Sequence, residues 1–281
     1  MFATIISFAA VLPIQQFAAD VFRSRISHLG PTNELARFVG YPSGAGRDQF
    51  RLNERFWLSG CDFSCVSPWN SALGRLGAGV AVTRRHILYS NHFMMRKGTR
   101  MVFIGQDGGL CPCYLEGSRQ VADTGLMVGL LNAELTPNIV PAKVLPPDYA
   151  KHIGEGSGFP VVTFNQSEEA VLGESSCETM LNPRRWGANP STNAFWRTYQ
   201  KKLVRGDSGN PAFMLFGNQP VLIYCIYGGG GGVGNPIHAY RRETQRAMDE
   251  LCPGYKLEEF DFTRFTPRCL SIPKKDVGII L

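Results

Sequence analysis

GAGVAVTRRHILYSNHF, from Gly77 to Phe93, holds two short apolar runs with a charged turn between them. The first run, Gly79–Val82, is built from small and β-branched residues, Thr83–Arg85 ends it, and Ile87–Tyr89 forms the second run. Short apolar runs bounded by polar residues are typical of β-strands. The stretch therefore predicts a strand, a turn and a second strand, with His92 just beyond the end of the second strand.

The same pattern of short apolar runs and turns continues over most of the 281-residue chain, which contains 31 Gly and 18 Pro. NPAFMLFGNQPVLIYCIYGG, Asn210–Gly229, predicts a hairpin that turns at Gly217–Asn218. The best helix pattern is IHAYRRETQRAMDEL, Ile237–Leu251, and Pro253 follows its end. We therefore expect an all-β protein of about a dozen short strands, arranged as a sandwich or as barrels, with one late helix.

Composition and charge narrow the class of protein. Apolar residues make up 44% of the chain, enough for a core, so long disordered regions are not expected. The net charge is +6, but the paired arginines Arg84–Arg85, Arg184–Arg185 and Arg241–Arg242 are separate and form no stripe. Solvated surface charge therefore explains the basic balance better than binding to nucleic acid.

The eight cysteines predict no metal centre. Cys61 and Cys65, then Cys111 and Cys113, resemble a zinc knuckle only loosely, because zinc sites have shorter and more regular spacings. Eight cysteines allow about 105 complete pairings, so no disulfide can be assigned. Cys225 lies inside an apolar run and is expected to be a core thiol. No cofactor is expected.

The first 19 residues, Met1–Ala19, carry no charge. Phe2–Leu12 has the length of the apolar region of a signal peptide, which would make the protein secreted or periplasmic. No basic residue follows Met1, however, and the bulky Phe17 precedes a cleavage site after Ala19. An apolar helix on the surface is the alternative, and the run is too short and interrupted to predict a membrane span.

A second stretch, KKLVRGDSGNPAFML, contains the tetrad Gly-Asp-Ser-Gly at Gly206–Gly209. Alone, such a tetrad is more often an ordinary turn than a catalytic site. A nucleophilic Ser208 would need a base and an orienting acid elsewhere in the chain. His92, at a strand end, is the candidate base. Asp123, just before an apolar run in ADTGLMVGLL, is the candidate acid, and Asp107 in GQDGG is its rival.

These stretches together resemble the trypsin-like (chymotrypsin-fold) serine proteases. The histidine segment is similar to theirs, with Ser90–Asn91 replacing two alanines, and GDSGNP is similar to their Gly-Asp-Ser-Gly-Gly-Pro, with Asn210 replacing a glycine. The chain order His92, Asp123, Ser208 is that of this fold and differs from the order in α/β-hydrolases and subtilisins.

The resemblance covers roughly Gly60 to Leu251 and implies a fold. Two packed six-stranded antiparallel β-barrels would occupy about residues 55–137 and 153–238, followed by a C-terminal α-helix at 237–251. The protease domain would then span 51–252, after an N-terminal extension of 1–50 and before a tail of 253–281.

The resemblance also implies a chemistry, the hydrolysis of peptide bonds in a polypeptide substrate through an acyl-enzyme. His92 would take the proton of Ser208, Asp123 would fix the tautomer of the imidazole, and the N–H groups of Gly206 and Ser208 would form the oxyanion hole. An inactive, protease-like module that binds peptides is the alternative, favoured by the departures at Ser90–Asn91 and at Asn210. The chain order His92, Asp123, Ser208 argues against a third alternative, a serine esterase on another fold.

By the same resemblance, Lys202 falls at the base of the pocket that sets specificity. A peptide would pair with the strand edge at Ile226, Tyr227 and Gly228, and His238 would approach the pocket after the glycine run. A cationic pocket would favour Glu or Asp on the acyl side of the cut. The alternative is an apolar pocket with the lysines in solvent.

Trypsin-like zymogens are activated by a cut whose new amine pairs with the Asp beside the nucleophile, here Asp207. ELARFVGYP faintly resembles such a site, with the cut after Arg37. We expect no switch of this kind, and Asp207 then needs another partner, because burying it alone is costly.

Overall fold

The computed structural model describes residues 34–39, 50–68, 78–149, 159–177, 186–189, 199–216, 218–228 and 232–264. The expected signal peptide, and with it the expected export, falls on residues outside these ranges, as does the centre of the glycine run. Within the described residues, short strands dominate, so the mostly-β prediction is confirmed.

The first sheet contains six strands, all paired antiparallel in the order β1-β2-β3-β6-β5-β4. The strands are β1 Val66–Ser67, β2 Gly79–Ala81, β3 His86–Ser90, β4 Arg100–Ile104, β5 Leu110–Gln120 and β6 Leu126–Leu131. Cα atoms of the two outer strands, β1 and β4, approach within 8 Å of each other. The sheet is therefore a nearly closed barrel, and the strand, turn and strand predicted in Gly77–Phe93 are β2 and β3.

Arg37 bridges the seam of this near-barrel. Its guanidinium donates from Nη1 to the carbonyl oxygen of Val66 on β1 (3.2 Å) and from Nη2 to that of Ile104 on β4 (3.5 Å). The side chain is buried, and burial lowers the pKa of Arg37, an effect that nearby Glu168 opposes. Two edge strands that do not pair with each other are thus joined by one side chain.

The second sheet differs from the expected six-stranded barrel. Its seven strands lie in the order β11-β8-β9-β10-β13-β12-β7, with an additional pairing between β11 and β12. The sheet is mixed, because β7 is parallel to β12 while the other pairs are antiparallel. The strands are β7 Lys143–Val144, β8 Phe159–Phe164, β9 Ala170–Cys177, β10 Trp186–Asn189, β11 Pro211–Phe216, β12 Gln219–Gly228 and β13 Val233–Pro236.

The extra strand, β7, lies in a stretch with several prolines between the two expected barrels, residues 138–152. Lys143–Val144 itself contains no proline, so its backbone keeps the N–H groups needed for pairing. The Val144 N–H donates to the carbonyl oxygen of Glu258, and the Phe260 N–H donates to that of Val144. A chain segment after the helix therefore pairs with β7 as well.

Buried side chains cover both faces of several strands. On β11, Phe213 and Leu215 belong to the large core cluster, whereas Ala212, Met214 and Phe216 belong to a second cluster. The Phe63 ring lies 5.1 Å from Phe164 and 5.5 Å from Phe213, centroid to centroid. These ring contacts join residues before the first sheet to strands of the second, so the large cluster is shared by both sheets.

The predicted helix is confirmed. A 3-10 turn, Ile237–Tyr240, leads into α1, Arg241–Leu251. The helix lies against β5 and β6, and its buried face presents Ala247 and Met248. It ends just before Pro253, where the Cys252 N–H donates to the carbonyl oxygen of Met248. No helix in the described ranges has the length and apolarity needed to cross a membrane.

Candidate functional site

His92 lies directly after β3, in a 3-10 turn of residues Asn91–Phe93. The hydroxyl oxygen of Ser90 caps this turn by accepting a hydrogen bond from the His92 N–H (3.2 Å). The His92 side chain is exposed, and its ring meets the edge of Tyr227 at a centroid distance of 6.2 Å. The strand end thus presents an imidazole that contacts Tyr227 of β12.

Ser208 lies in a tight turn before β11. The backbone is left-handed at both flanking glycines, with φ +110° at Gly206 and +96° at Gly209, a conformation that favours glycine. Ser208 is half-buried. Among the described residues, no hydrogen bond involves the backbone N–H or the hydroxyl of Ser208. Both groups are therefore available to a bound molecule.

The serine turn is packed against the histidine segment. A Cβ placed on Gly209 would lie 3.9 Å from the Cβ of Ser90 and 3.2 Å from the carbonyl oxygen of Ala78. The Gly209 N–H donates to the carbonyl oxygen of Ile226 (2.6 Å), and the Ile226 N–H donates to that of Asn210 (2.9 Å). The serine turn is thus fixed between β12 of the second sheet and the end of β3 in the first.

A loop between β5 and β6 reaches the same place. The Asn91 N–H donates to the carbonyl oxygen of Gly125 (3.0 Å), and its side-chain Nδ2 donates to that of Thr124 (3.4 Å). From the second sheet, Asn235 accepts the Gly125 N–H on Oδ1 (3.0 Å). The loop that carries Asp123 is therefore held between the histidine segment and β13.

Asp123 itself is exposed. In the described parts of the chain, no hydrogen bond joins its carboxylate to His92 or to any other residue. The preceding Ala122 has a φ of +44°, which is unusual for a residue with a side chain and is found in tight or strained turns. The structure brings the Asp123 loop to the histidine segment without joining the two side chains.

The rival acid, Asp107, lies elsewhere. Its carboxylate accepts from Asn138 Nδ2 (2.9 Å) and from the Gly109 N–H (2.9 Å), and these bonds lower the pKa of Asp107. Asp107 is in the turn that enters β5, whereas Asp123 follows the other end of that strand. A straight strand of this length spans roughly 35 Å. Of the two carboxylates, only Asp123 is on the loop that contacts the histidine segment.

The residues expected to line a specificity pocket are dispersed. Lys202 is exposed, Ile226 is buried, and Tyr227 is half-buried in a bulge of β12 that ends at Gly228. His238 packs on the ring of Tyr149 at 4.3 Å, and burial lowers the pKa of His238 to about 4. The imidazole of His238 is therefore neutral near pH 7 and adds no positive charge to a pocket.

Two residues that the sequence did not single out also shape the site. Gln166, from the turn between β8 and β9, donates its backbone N–H to Asp207 (3.0 Å), and Asn235 binds the Asp123 loop. Both are single polar residues whose partners lie 41 and 110 residues away in the chain. No local pattern distinguishes them from ordinary turn and strand residues.

Six cysteines of the described segments are free thiols. Five of these six side chains are buried, and burial raises the pKa of Cys225, which lies in the core. Cys111 and Cys113 form no disulfide, and their sulfur atoms share a hydrogen bond of 3.9 Å. Within the described residues, no group of three or more His, Cys, Asp or Glu side chains is placed to hold a metal ion.

Two comparisons with known proteins identify no relative of this chain. A scan against protein-family models finds no match, and a search of curated proteins finds no significant match. The class that the fold defines is therefore broad: a mostly-β protein with a six-stranded antiparallel near-barrel, a second mixed sheet and a C-terminal helix.

Proposed function

We propose that the protein is a serine endopeptidase of the trypsin type, with Ser208 as nucleophile, His92 as general base and Asp123 as orienting acid. One observation carries the proposal. The turn that presents Ser208 is packed against the strand end that presents His92, since a Cβ on Gly209 would lie 3.9 Å from that of Ser90. Ser90 and Ser208, which are 118 positions apart in the chain, thus belong to segments that pack against each other.

The proposed chemistry assigns each group a step. His92 accepts the proton of the Ser208 hydroxyl as its oxygen attacks the scissile carbonyl, and then donates that proton to the leaving amine. Water then attacks the resulting ester while His92 accepts a proton from the water, and His92 returns that proton to the oxygen of Ser208. In this proposal the Ser208 N–H, which has no partner among the described residues, would donate to the oxyanion together with the N–H of Gly206.

The missing contacts between the three side chains are compatible with catalysis. Hydrogen bonds of catalytic groups are often long or absent in unliganded enzymes and form in the substrate complex. His92 and Asp123 are both exposed and are free to change rotamer. Bound substrate would exclude water and favour the rotamers in which the carboxylate, imidazole and hydroxyl are in line.

A fluorophosphonate probe tests the proposal directly, because it forms a covalent bond only with an activated serine. We expect the folded protein to be labelled at Ser208, and labelling to be lost in Ser208→Ala and in His92→Ala. Ser167→Ala is the matched control, since Ser167 is an exposed turn serine. Absence of labelling in the folded, full-length protein would contradict a catalytic role.

A protein that binds peptides without cutting them is the second candidate. Two observations favour it. Asp123 makes no hydrogen bond to His92. Asn210, which replaces a glycine of the resembled motif, is fully buried, and neither of its side-chain amide atoms has a hydrogen-bond partner among the described residues. A buried amide of this kind is costly. Peptide binding by calorimetry, without labelling or turnover, would favour this candidate over the protease.

A further inference from the structure

Asp207, next to the proposed nucleophile, is a buried carboxylate whose partners are the backbone N–H groups of Val204 and Gln166 and the Gln166 side chain. Its side chain is 1% exposed, and burial raises the pKa of Asp207. Oδ1 accepts the N–H of Gln166 (3.0 Å), and Oδ2 accepts the N–H of Val204 (2.6 Å). Each carboxylate oxygen is thus bound by a neutral donor, which partly offsets the cost of burial.

Gln166 contacts the serine turn at two further points. Its side-chain Nε2 donates to the carbonyl oxygen of Arg205 (3.0 Å). The same amide covers Gly206, where an added Cβ would lie 2.5 Å from Nε2. One residue therefore binds the backbone of Arg205, packs on Gly206 and donates to the carboxylate of Asp207, three consecutive residues directly before Ser208.

The turn that carries Gln166 is itself rigid. The Asn165 side-chain oxygen accepts the N–H groups of Ser167 (2.9 Å) and Glu169 (3.1 Å). The Glu168 N–H donates to the carbonyl oxygen of Asn165 (2.9 Å). A turn closed by three such bonds holds the donors of Gln166 in a fixed position.

We propose that Gln166 is a positioning residue that holds the Gly206–Ser208 backbone in the geometry of an oxyanion hole, so that the site is formed without a cut in the N-terminal part of the chain. The inference rests on the proposed function. It fits the glycine at this position, because φ of Gly206 is +110° and an added Cβ would lie 2.5 Å from Nε2 of Gln166.

The N-terminal cut that the sequence resemblance suggested is not accessible in this fold. Arg37 is 4% exposed and its guanidinium binds two backbone carbonyl groups. Phe38 is 1% exposed and pairs with Leu52. A protease cannot reach the Arg37–Phe38 bond without unfolding this segment, so Asp207 keeps Gln166 and Val204 as its partners.

Three substitutions of Gln166 separate its contacts. Gln166→Met keeps the length of the side chain and removes its hydrogen bonds to the Arg205 carbonyl oxygen and to Asp207. Gln166→Ala also removes the packing on Gly206. Gln166→Glu places a carboxylate against the Arg205 carbonyl and near the buried Asp207, where two like charges repel. We expect the loss of function to grow in the order Met, Ala, Glu. Ser167→Ala, in the same turn, is the matched control.

The rate of fluorophosphonate labelling and the kcat of peptide cleavage are the functional measurements. Loss of one oxyanion-hole donor costs about 10²- to 10³-fold in kcat, and displacement of the turn should cost about 10- to 100-fold. KM should change little, because the contacts lie behind the turn and away from the substrate. A variant that loses affinity at unchanged kcat would contradict the positioning role.

Amide hydrogen exchange provides a measurement that does not depend on catalysis. In wild type, the N–H groups of Asp207, Gly209 and Asn210 are all hydrogen-bonded. We expect peptides covering 204–210 to exchange faster in Gln166→Ala and Gln166→Glu, and to exchange at the wild-type rate in Ser167→Ala. If wild type is not labelled, the protease proposal fails, and the exchange result still decides the role of Gln166. If Gln166→Glu folds and exchanges at the wild-type rate, the positioning role of Gln166 is overturned. If Gln166→Glu does not fold, a wild-type rate of exchange in Gln166→Ala overturns that role.

Discussion

The ring of Tyr227 lies directly on the backbone of Gly125, so closely that an added Cβ would be 2.5 Å from the ring carbon Cγ. The same ring meets the imidazole of His92 edge to face. Tyr227 lies in a bulge of β12, and bulges redirect a side chain out of the regular alternation of a strand. One aromatic side chain of the second sheet thus covers the loop after Asp123 and touches the proposed base.

Replacing Gly125 by alanine should therefore be destabilising because of Tyr227. We expect Gly125→Ala to lower the free energy of unfolding by roughly 1–3 kcal/mol, as overpacking of a close contact does. In a Tyr227→Ala background the same substitution should cost less than about 1 kcal/mol, because the ring is gone. Urea unfolding of the four proteins measures the coupling. An equal cost in both backgrounds would show that the ring contact is not the cause.

The triad assignment predicts a large loss of peptide hydrolysis for a substitution at each of its three residues. Ser208→Ala and His92→Ala should each remove nearly all peptide hydrolysis, because the three groups act as a unit. Asp123→Asn should lose about 10⁴-fold in kcat, because the wrong imidazole tautomer is stabilised. Each variant should unfold at nearly the wild-type urea concentration, since all three side chains are on the surface or half-buried.

Asp107→Asn is the control for the acid. Asp107 binds Asn138 and its own turn, at the far end of β5 from the histidine segment. We expect kcat within about twofold of wild type and at most a small loss of stability. A large loss of activity in Asp107→Asn, with full activity in Asp123→Asn, would reverse the assignment.

Local patterns predicted the elements that depend on neighbouring residues. The strand, turn and strand of Gly77–Phe93 follow from alternating apolar runs, and the helix at Arg241–Leu251 follows from its periodicity and the proline after it. The hairpin of β11 and β12 was also predicted, because its two strands are joined by a short turn. In each case the pairing partner lies close in sequence.

Long-range pairings were not predictable from one sequence. β7 pairs with Val221–Leu222, nearly 80 residues further along the chain, and only two residues form that parallel contact. The contact between Gln166 and Asp207 spans 41 residues, and it depends on a backbone N–H that every residue except proline carries. The sequence therefore indicated that Asp207 needs a partner without indicating which residue provides it.

Stability should fall in mild acid because of His86. This side chain is fully buried on β3, and burial lowers the pKa of His86 to about 4. The Thr83 hydroxyl accepts the N–H groups of Arg85 and His86, so its own proton points to His86 Nδ1 (3.0 Å) and requires that nitrogen to be unprotonated.

Because the pKa is lower in the folded state than in the unfolded state, the unfolded chain binds more protons between pH 6.5 and about 4. The free energy of unfolding should decrease as pH falls through this window, by on the order of 2 kcal/mol for one such histidine. Urea midpoints at pH 7.5, 6 and 5 measure the effect, to which His238 contributes as well. His86→Leu should show a flatter dependence on pH, whatever its absolute stability. An equal slope in both proteins would exclude His86 as the cause.

Cleavage after lysine or arginine should be disfavoured. No acidic residue lies between Thr198 and Gly206, the stretch that by resemblance forms the pocket base, and Lys202 is exposed there. Lys201 is paired with Glu169, and His238 is neutral and packed on Tyr149, so Lys202 is the main candidate for a cation at the pocket. Acidic or apolar side chains on the acyl side of the cut are therefore expected.

Profiling a peptide library by mass spectrometry gives the preference, and two charge reversals locate its origin. Lys202→Glu should shift cleavage toward Lys and Arg by at least about tenfold, since one charge-assisted hydrogen bond to a ligand contributes about 1.5–3 kcal/mol. Lys201→Glu changes the net charge equally but acts on Glu169 in the turn between β8 and β9, so it should leave the preference unchanged. A wild-type enzyme that cuts mainly after Lys or Arg would refute the pocket assignment. An apolar preference that Lys202→Glu does not alter would show that Lys202 points to solvent and that the pocket is lined by other residues.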